Sequence, residues 1–350
     1  MEHYKIDSTF YCGIDLHARS MYACVMNKEG DILLHKNMRT ESREIKRKLA
    51  PFLPDIAVGV ESTYNYYWLA DACRMHKIPF YLGHAYYMKT IHGGKKKNDK
   101  LDSRKIADLM RCNHLPKAYS YPRQRRATRD LLRRRHRYGR IRSEAYRHIQ
   151  CTFHQHEKYI SPSAVRDKSS RHRLLDVFDD PVLRMMIEAD LETIYFLDPK
   201  LKQLENAIRQ QARTYDRDLL TILQSIPGLG DILSLITLYE IDDINRFPSA
   251  QKFCSYARLV RGSYESAGKY LGHGKAKIGN PWLKYAIADI IIHAERTSPS
   301  IAQFYQKLQK QHGVKRAKSI ISHKFGIAIF YMLKNKQVFD EKRFVQSAMK

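Results

Sequence analysis

Several features that define common protein classes are missing from this sequence. No uncharged apolar run reaches the roughly 18 residues that a membrane-spanning helix needs, so no membrane span is expected. None of the six cysteines stands at CxxC spacing, so neither a zinc ribbon nor a disulfide framework is expected. No GxxxxGK[ST] segment occurs, which argues against an ATP-binding P-loop. The early residues do not match a secretion signal, and we expect a cytoplasmic protein with reduced thiols.

Acidic residues are scarce relative to basic ones. The 350 residues contain 62 Lys and Arg but 36 Asp and Glu, a formal net charge of +26. Such an excess of positive charge favours a polyanionic partner, of which nucleic acid is the first expectation. Hydrophobic residues make up 43% of the chain, so wholesale disorder is not expected. A chain of this length usually forms two or three domains.

The first 120 residues alternate strand and helix patterns. Short β-rich runs predict strands and amphipathic stretches predict helices, in the order β-β-β-α-β-α-β-α. Three antiparallel strands followed by parallel αβ units is the order of the RNase H-like fold, so we predict an α/β domain of that class. The predicted strands are 9–15, 21–26, 32–35, 56–60 and 79–82, and the predicted helices are 41–52, 64–76 and 102–112.

Four carboxylates are candidates for a catalytic site in this domain. Asp15 ends the first strand in GIDLH, and Glu61 ends the fourth in VGVEST. The first and fourth strands are neighbours in an RNase H-like sheet, so these two side chains should meet. Asp99 and Asp102, in KNDKLDSRKIAD, share one side of a helical turn. Alone, this last pair is better explained as ordinary helix N-terminal acids, but all four together predict catalysis.

Converging carboxylates favour divalent cations. Without a cation the four acids would repel one another and their pKa values would rise. Two Mg²⁺ ions about 4 Å apart would neutralise the acids and hold a scissile phosphate. Oxygen ligands suit Mg²⁺ better than zinc, so Mg²⁺ is the predicted cofactor.

Residues 123–147 form the most basic segment. They hold eleven Arg against Asp130 and Glu144, above an apolar stripe whose spacing predicts one long helix. A solvated helical face is the ordinary interpretation of a charge run, but this density of Arg favours contact with a phosphate backbone. The candidate contacts are Arg125, Arg126, Arg129, Arg133, Arg134 and Arg137.

The charge reverses along residues 176–198, which hold seven acids and one Arg. Apolar residues at helical spacing continue beyond this stretch, and Pro199 is expected to separate two amphipathic helices. We predict a helical coiled-coil linker over 156–216 whose apolar stripes are buried by a second copy of the chain. An intramolecular helical hairpin is the alternative.

In the remainder, residues 217–350, the helical pattern interrupted by Gly and Pro predicts a mainly α-helical domain. The segment IPGLGDILSLITL resembles a helix-hairpin-helix turn, in which the backbone at Gly228 and Gly230 would hold a phosphate. A tight interhelical turn is the alternative. Asn280-Pro281 and Ser298-Pro299 are expected to begin helices, because Asn or Ser caps a helix that starts with Pro.

A glycine-rich basic segment, residues 261–284, carries one candidate nucleophile. Ser266 lies in it beside the basic residues Lys269, Lys275 and Lys277. A serine hydroxyl is a weak nucleophile that needs a base, a metal or a polarised phosphate. Taken alone, Ser266 is therefore best explained as a loop serine.

Together these motifs resemble one family, the DEDD-type transposases of the insertion-sequence family "one-ten", which are relatives of the Piv DNA invertases. The resemblance covers most of the chain, and it implies a RuvC-like nuclease domain over 1–155 that ends in the Arg-rich helix. It also implies a transposase domain over 217–350. The motifs that carry it are GIDLH, VEST, NDKLD, LLTILQSIPGLGDILSLITLYEI, DDINRFPSAQKFCSYARL and SAGKYLGHGKAKIGNPWLKYAI.

The resemblance implies residue roles and partners. Ser266 would be the nucleophile and form a phosphoserine intermediate, with Ser263 as the fallback because Ala267 stands where the family usually has glycine. Donor and target double-stranded DNA would be the substrates, and a structured noncoding bridge RNA would supply sequence choice. The protein would be a homo-oligomer in which one protomer's serine completes another's carboxylate site. The metal-binding tetrad would be Asp15, Glu61, Asp99 and Asp102.

Two other functional classes remain open at this point. A RuvC-like Holliday-junction or structure-specific endonuclease would use the four acids with water as the nucleophile, and Ser266 would be idle. That alternative leaves residues 219–350 without a purpose. A non-catalytic nucleic-acid binder is the third class, and it would have no need of an intact set of four acids.

Overall fold

Two units, Met1–Gln124 and Arg125–Lys350, make up the chain in a computed structural model. The structure describes residues 2–91, 98–215, 217–260, 262–267, 269–273 and 278–346. None of the helices in these ranges is both long and apolar enough to cross a bilayer. The three-part division expected from the sequence, with boundaries after residues 155 and 216, stays a prediction.

A five-stranded mixed sheet forms the centre of the first unit. Its strands are β1 (Phe10–Leu16), β2 (Ser20–Met26), β3 (Ile32–Arg39), β4 (Ile56–Glu61) and β5 (Phe80–Gly83). They lie in the order β3-β2-β1-β4-β5. β1 pairs antiparallel with β2 and parallel with β4. The first and fourth strands are therefore neighbours, as the RNase H-like order predicts.

The helices of the first unit are α1 (Ser42–Leu49), α2 (Tyr67–Met75), α3 (Ala85–Ile91) and α4 (Asp99–Arg111). No sequence pattern predicts α3, a seven-residue helix too short to show helical periodicity. α4 begins three residues before the predicted start at residue 102. Asn98 caps α4, because its side chain accepts a hydrogen bond from the Lys100 N–H at 2.9 Å.

The two faces of β1 bury different side chains. Cys12, Ile14 and Leu16 point into the core formed with α1 and α2. Gly13 faces α4, and a Cβ at this position would overlap the backbone of Ser103 and Ala107. α4 therefore packs directly on the backbone of β1, which only glycine permits.

Two long helices dominate the first part of the second unit. They are α5 (Arg123–Gln155), which is the long helix predicted for the Arg-rich segment, and α7 (Pro181–Tyr215), with the short α6 (Pro162–Arg166) between them. The two long helices share an apolar core within one chain. A coiled coil between copies stays a prediction. The core residues are Ala145, Ile149 and Phe153 on α5 and Ile187, Leu191 and Ile194 on α7.

Pro199 does not divide α7, so the expectation of two separate helices is wrong. Proline cannot donate to the carbonyl four residues earlier, which normally breaks a helix. Leu197 and Leu201, on either side of Pro199, are both buried. Burial of this continuous apolar stripe holds the helix together through the missing hydrogen bond.

The rest of the second unit is helical, with one two-stranded hairpin. Asn280 and Ser298 each cap the helix that follows, as their positions in the sequence predict, and Ser249 caps another helix in the same way. The hairpin strands are β6 (Ser263–Ser266) and β7 (Lys269–His273). The helices are α8 (Arg217–Gln224), α9 (Asp231–Ile241), α10 (Ala250–Tyr256), α11 (Pro281–Thr297), α12 (Pro299–His312), α13 (Val314–Asn335) and α14 (Glu341–Gln346).

Candidate active site

The sheet register directs two of the predicted acids to the same place. Gly13 of β1 pairs with Gly59 of β4, and α4 covers both glycines. Asp15 follows Gly13 by two residues and Glu61 follows Gly59 by two. Because side chains alternate along a strand, both acids belong to the face that α4 covers. They stand at the carboxyl ends of neighbouring parallel strands.

The first turn of α4 brings Asp99 to Asp15, with His17 between them. The His17 Nε2 atom lies 3.3 Å from the Asp15 Oδ2 atom and 3.4 Å from the Asp99 Oδ2 atom. One ligand atom from each of these three residues lies within 4.8 Å of the other two. Within the described ranges, no other set of three His, Cys, Asp or Glu side chains meets that distance. These three residues are called the acidic triad below.

Asp102 and Glu61 lie outside the acidic triad. The Asp102 carboxylate accepts a hydrogen bond from Lys105 Nζ at 3.0 Å, yet it is close enough to Asp15 to raise the pKa of that carboxyl. Glu61 is half-buried at the end of β4 and pairs in register with Gly83 of β5. Asp15 and Glu61 therefore end neighbouring strands, Asp99 and Asp102 lie close enough to affect the Asp15 carboxyl, and Asp15 and Asp99 are in closest reach of a common ligand.

The electrostatics of Asp15 are those of a crowded carboxylate. Burial is the largest influence and raises its pKa above the ordinary value. The nearby His17 lowers the pKa, whereas the charges of Asp99 and Asp102 raise it. Repulsion among these acids disfavours the fully ionised set, and a bound cation would relieve it.

A second histidine fixes the turn that carries Asp99 and Asp102. His35 on β3 donates from Nε2 to the Lys100 carbonyl oxygen at 2.8 Å, and the same atom lies 3.3 Å from Ser103 Oγ. The Ser103 hydroxyl donates to that carbonyl as well, at 3.0 Å. The first turn of α4 is thereby tied to the sheet.

Sequence reasoning missed both histidines. His17 stands in the quoted GIDLH motif, two residues after Asp15, and the two-residue period of a strand was the signal that could have found it. His35 gave no local signal. Its contact with Lys100 joins residues 65 apart in the chain, which only the fold reveals.

The predicted nucleophile lies on the hairpin of the second unit. Ser266 ends β6 and pairs in register with Lys269 of β7. The structure describes the backbone of Ser266 but not its side chain. Ala267 has φ of +47°, the left-handed region that glycine adopts without strain. That conformation explains the glycine expected there from the family pattern. Lys275 and Lys277 lie outside the described residues.

Hydrogen bonds join the residues that precede the hairpin to the residues that follow it. The Asn280 N–H donates to the Tyr256 carbonyl oxygen at 2.6 Å, and the Arg258 Nε–H donates to the Gly279 carbonyl oxygen at 2.9 Å. Gly279 has φ of +99°, and a Cβ there would overlap the Tyr256 carbonyl. The hairpin therefore projects from a fixed base.

Part of the Arg-rich helix faces inward. Arg129 donates from Nε to the Glu240 carboxylate at 3.0 Å, and Arg133 donates to the same carboxylate at 2.6 and 2.9 Å. Arg126 is buried, and Arg125 pairs with Asp242 at 2.8 Å. All four arginines were predicted to contact phosphate. In the structure buried carboxylates of the second unit engage the guanidinium groups of Arg125, Arg129 and Arg133.

The exposed arginines of α5 are better placed than the buried ones to contact a phosphate backbone. Arg134 and Arg137 are both exposed, and their spacing of three residues places them on one side of α5. Lys269 on the hairpin is exposed too. These three remain the candidates for phosphate contact among the described basic residues that the sequence analysis named.

The two glycines of the PGLG turn differ in role. Gly228 has φ of +84°, and a Cβ there would overlap the backbone of His293 and Ala294 on α11. It therefore serves helix packing. Gly230 caps α9, is exposed, and has open space where a Cβ would lie. Of the two, Gly230 is the one a phosphate can approach.

Two family models match the chain. One, a transposase model named DEDD_Tnp_IS110, matches residues 12–157, which hold the four predicted acids. The other is described as the transposase IS116/IS110/IS902 family and matches residues 220–306, which hold Ser266. Together they span about two thirds of the chain.

Two curated proteins of Streptomyces coelicolor (strain ATCC BAA-471 / A3(2) / M145) are similar to the chain. An uncharacterized 43.6 kDa protein of insertion element IS110 is 23% identical over 190 residues, which cover 47% of this chain and 46% of that protein. A candidate mini-circle transposase for IS117 is 29% identical over 171 residues, which cover 48% of this chain and 39% of that protein. The chain thus spans less than half the length of each relative. With both models and both relatives in agreement, the chain belongs to the IS110 family of transposases.

Proposed function

We propose that this protein is the transposase of an insertion sequence, which cleaves DNA strands and joins them to new partners. The observation that carries the proposal is the meeting of Asp15 and Asp99 at the carboxyl edge of the sheet, with Asp102 close to Asp15 and Glu61 at the end of the neighbouring strand. The family membership of the chain supports the same reaction class. The substrates would be donor and target double-stranded DNA.

Divalent cations fit this group of side chains. Carboxylate oxygens are the ligands Mg²⁺ prefers, and the mutual repulsion that helps raise the Asp15 pKa is what a cation would offset. Asp15, Glu61, Asp99 and Asp102 would hold the ions. Bound Mg²⁺ supplies charge neutralisation and polarises the scissile phosphate. Two ions would bind at this site.

The nucleophile we propose is the Ser266 hydroxyl. Its oxygen attacks phosphorus and forms a serine–phosphate ester, while the bond to the leaving DNA oxygen breaks and that oxygen takes up a proton. A hydroxyl of the other DNA then attacks the ester and releases Ser266. Each step exchanges one phosphate ester for another, so no ATP is consumed. The fixed base of the hairpin and the left-handed Ala267 suit a residue that must be presented in one position.

A structured RNA is proposed as the partner that supplies sequence choice. The described residues offer phosphate contacts through Arg134, Arg137 and Lys269, which are exposed. Contacts of this kind hold a nucleic-acid backbone without reading its sequence. A separate guide is consistent with a protein surface of that character.

A homo-oligomer is the remaining part of the proposal. α7 carries a second apolar stripe besides the one buried against α5, and its exposed members recur at helical spacing on one face. A grouped set of exposed apolar side chains marks an interaction surface, and a second copy of the chain is the proposed partner. The exposed members are Val182, Met185, Met186 and Phe196.

The decisive experiment measures covalent capture of DNA. The full chain is incubated with Mg²⁺, DNA carrying the ends of its own element, and RNA transcribed from the adjacent noncoding segment, and is then denatured. Wild-type protein should give a protein–DNA adduct. Asp15→Asn and Ser266→Ala should each reduce the adduct by at least about a hundredfold, since Asp15 would hold the cation and Ser266 would attack the phosphate.

Asp108→Asn is the matched control. Asp108 lies on α4 like Asp99 but pairs with Arg111 at 2.7 Å, so its loss should leave the adduct yield within about twofold. A structure-specific endonuclease using water is the competing function. Strand cleavage that persists in Ser266→Ala, without any adduct in the wild type, would establish that alternative instead.

The exposed arginines of α5 should contribute to the salt dependence of binding. Arg134→Gln combined with Arg137→Gln should flatten the slope of log affinity against log salt by about 0.9 for each phosphate that the variant no longer neutralises. Lys307→Gln with Lys310→Gln removes the same charge from exposed positions on α12 and should leave the slope unchanged. Equal slopes in the two double variants would reject α5 as a site of backbone binding.

A further inference from the structure

His17 lies beside both carboxylates of the acidic triad, within reach of a cation that the two acids would share. Its Nε2 atom is within 3.4 Å of a carboxylate oxygen of both Asp15 and Asp99. The ring is half-exposed, at 45%, so ions can reach it from solvent. A nitrogen atom at this point changes the chemical character of a site that the sequence described as all-carboxylate.

The backbone at His17 is fixed on both sides. Its N–H donates to the Ser20 carbonyl oxygen at 3.0 Å, which closes the turn from β1 to β2. Its own carbonyl oxygen accepts a hydrogen bond from the Thr40 hydroxyl at 3.1 Å. The imidazole is therefore held beside the acids by the sheet itself, unlike a histidine on a free surface loop.

We infer that His17 is a nitrogen ligand of the divalent cation, so that the site binds Mn²⁺ more tightly than its carboxylates alone would. This inference rests on the metal site of the proposed function and adds a ligand to it. Mg²⁺ takes oxygen ligands almost exclusively. Imidazole nitrogen suits first-row transition ions, so its presence should shift the preference from Mg²⁺ toward Mn²⁺.

The alternative role for His17 is that of a positioning residue. In that role its ring would only hydrogen-bond the two carboxylates and orient them for an ion bound through oxygen alone. Removing His17 would then weaken Mg²⁺ and Mn²⁺ equally, because neither ion would lose a ligand. The two roles differ in what the metal itself touches.

Electron spin-echo spectroscopy of bound Mn²⁺ distinguishes them, since a directly bound imidazole produces ¹⁴N modulation. The full-length wild type loaded with Mn²⁺ should show this modulation, and His17→Gln should lose it. Loss of a residue that only supports a metal ligand typically costs about tenfold or more in affinity, so loss of a direct ligand in His17→Gln should weaken Mn²⁺ binding by at least that factor, while Mg²⁺ affinity should change by less than about threefold. Titration with each ion alone provides the affinities.

His114→Gln is the matched control, because His114 is an exposed histidine of the first unit and has no atom in the acidic triad. It should keep the ¹⁴N modulation. Modulation that survives in His17→Gln, or an equal loss of affinity for both ions, would overturn the inference. Absence of any Mn²⁺ binding in the wild type would instead reject the metal site of the proposed function, so the two failures are distinguishable.

Discussion

Glu240→Ala is expected to destabilise the second unit by about 3–5 kcal/mol, the usual cost of removing one partner from a buried ion pair. The Glu240 side chain is 2% exposed and accepts hydrogen bonds from Arg129, Arg133 and Asn280. Its removal leaves the Arg129 guanidinium, 8% exposed, without this carboxylate. The midpoint of urea unfolding, followed by circular dichroism, measures the change.

Glu205→Ala provides the control for Glu240→Ala. Glu205 on α7 pairs at 2.6 Å with Arg135, which lies on α5 like Arg129 and Arg133. Both side chains of this pair are about one-fifth exposed. Water and salt screen such a pair, so its loss should cost about 1 kcal/mol or less. Equal losses of stability in the two variants would show that burial of Glu240 with Arg129 and Arg133, the Glu240 cluster, adds nothing to the free energy of unfolding.

Stability should also depend on pH through Glu240. Burial alone would raise the pKa of its carboxyl, but the hydrogen bond from Arg133 and the charges of Arg129 and Arg133 hold the pKa below the ordinary value of 4.5. A group with a lowered folded-state pKa stabilises the fold above its unfolded value and loses that contribution as pH falls through the folded value. The stability difference between wild type and Glu240→Ala should therefore shrink as the pH drops below 4.5.

The contacts of Glu240 could not be predicted from the sequence. The spacing of the apolar stripe in residues 123–147 correctly predicted one long helix, since helical spacing is a local property. Which arginines of that helix face inward depends on a carboxylate more than a hundred residues away. No local pattern distinguishes Arg129, which is buried, from Arg134, which is exposed.

Other features of the fold were predicted correctly from local sequence and from the order of the elements. The caps Asn280 and Ser298 were predictable because an N-cap depends on a few adjacent residues. The neighbouring placement of β1 and β4 followed from the order of the elements. Continuity of α7 through Pro199 was not predictable, because the burial that overrides the proline comes from tertiary packing.

Gly13→Ala is expected to reduce DNA cleavage by about a hundredfold, the order of loss that a misplacement of about 1 Å produces. An added Cβ would overlap the Ser103 carbonyl and the Ala107 nitrogen, which are backbone atoms of α4 and cannot rotate away. The helix must move off the sheet. Asp99 and Asp102 lie on its first turn, so they move with it, away from Asp15.

The same substitution should weaken Mn²⁺ binding, since Asp15 and Asp99 would no longer meet, and overpacking should cost about 1–3 kcal/mol of stability. Gly139→Ala on α5 is the control, because its added Cβ would lie 3.8 Å from the Arg135 side chain, an ordinary van der Waals distance. It should leave cleavage unchanged and, as a glycine replaced within a helix, favour folding slightly. A Gly13→Ala protein that stays folded and cleaves DNA at the wild-type rate would mean that contact between α4 and β1 does not set the geometry of the acids.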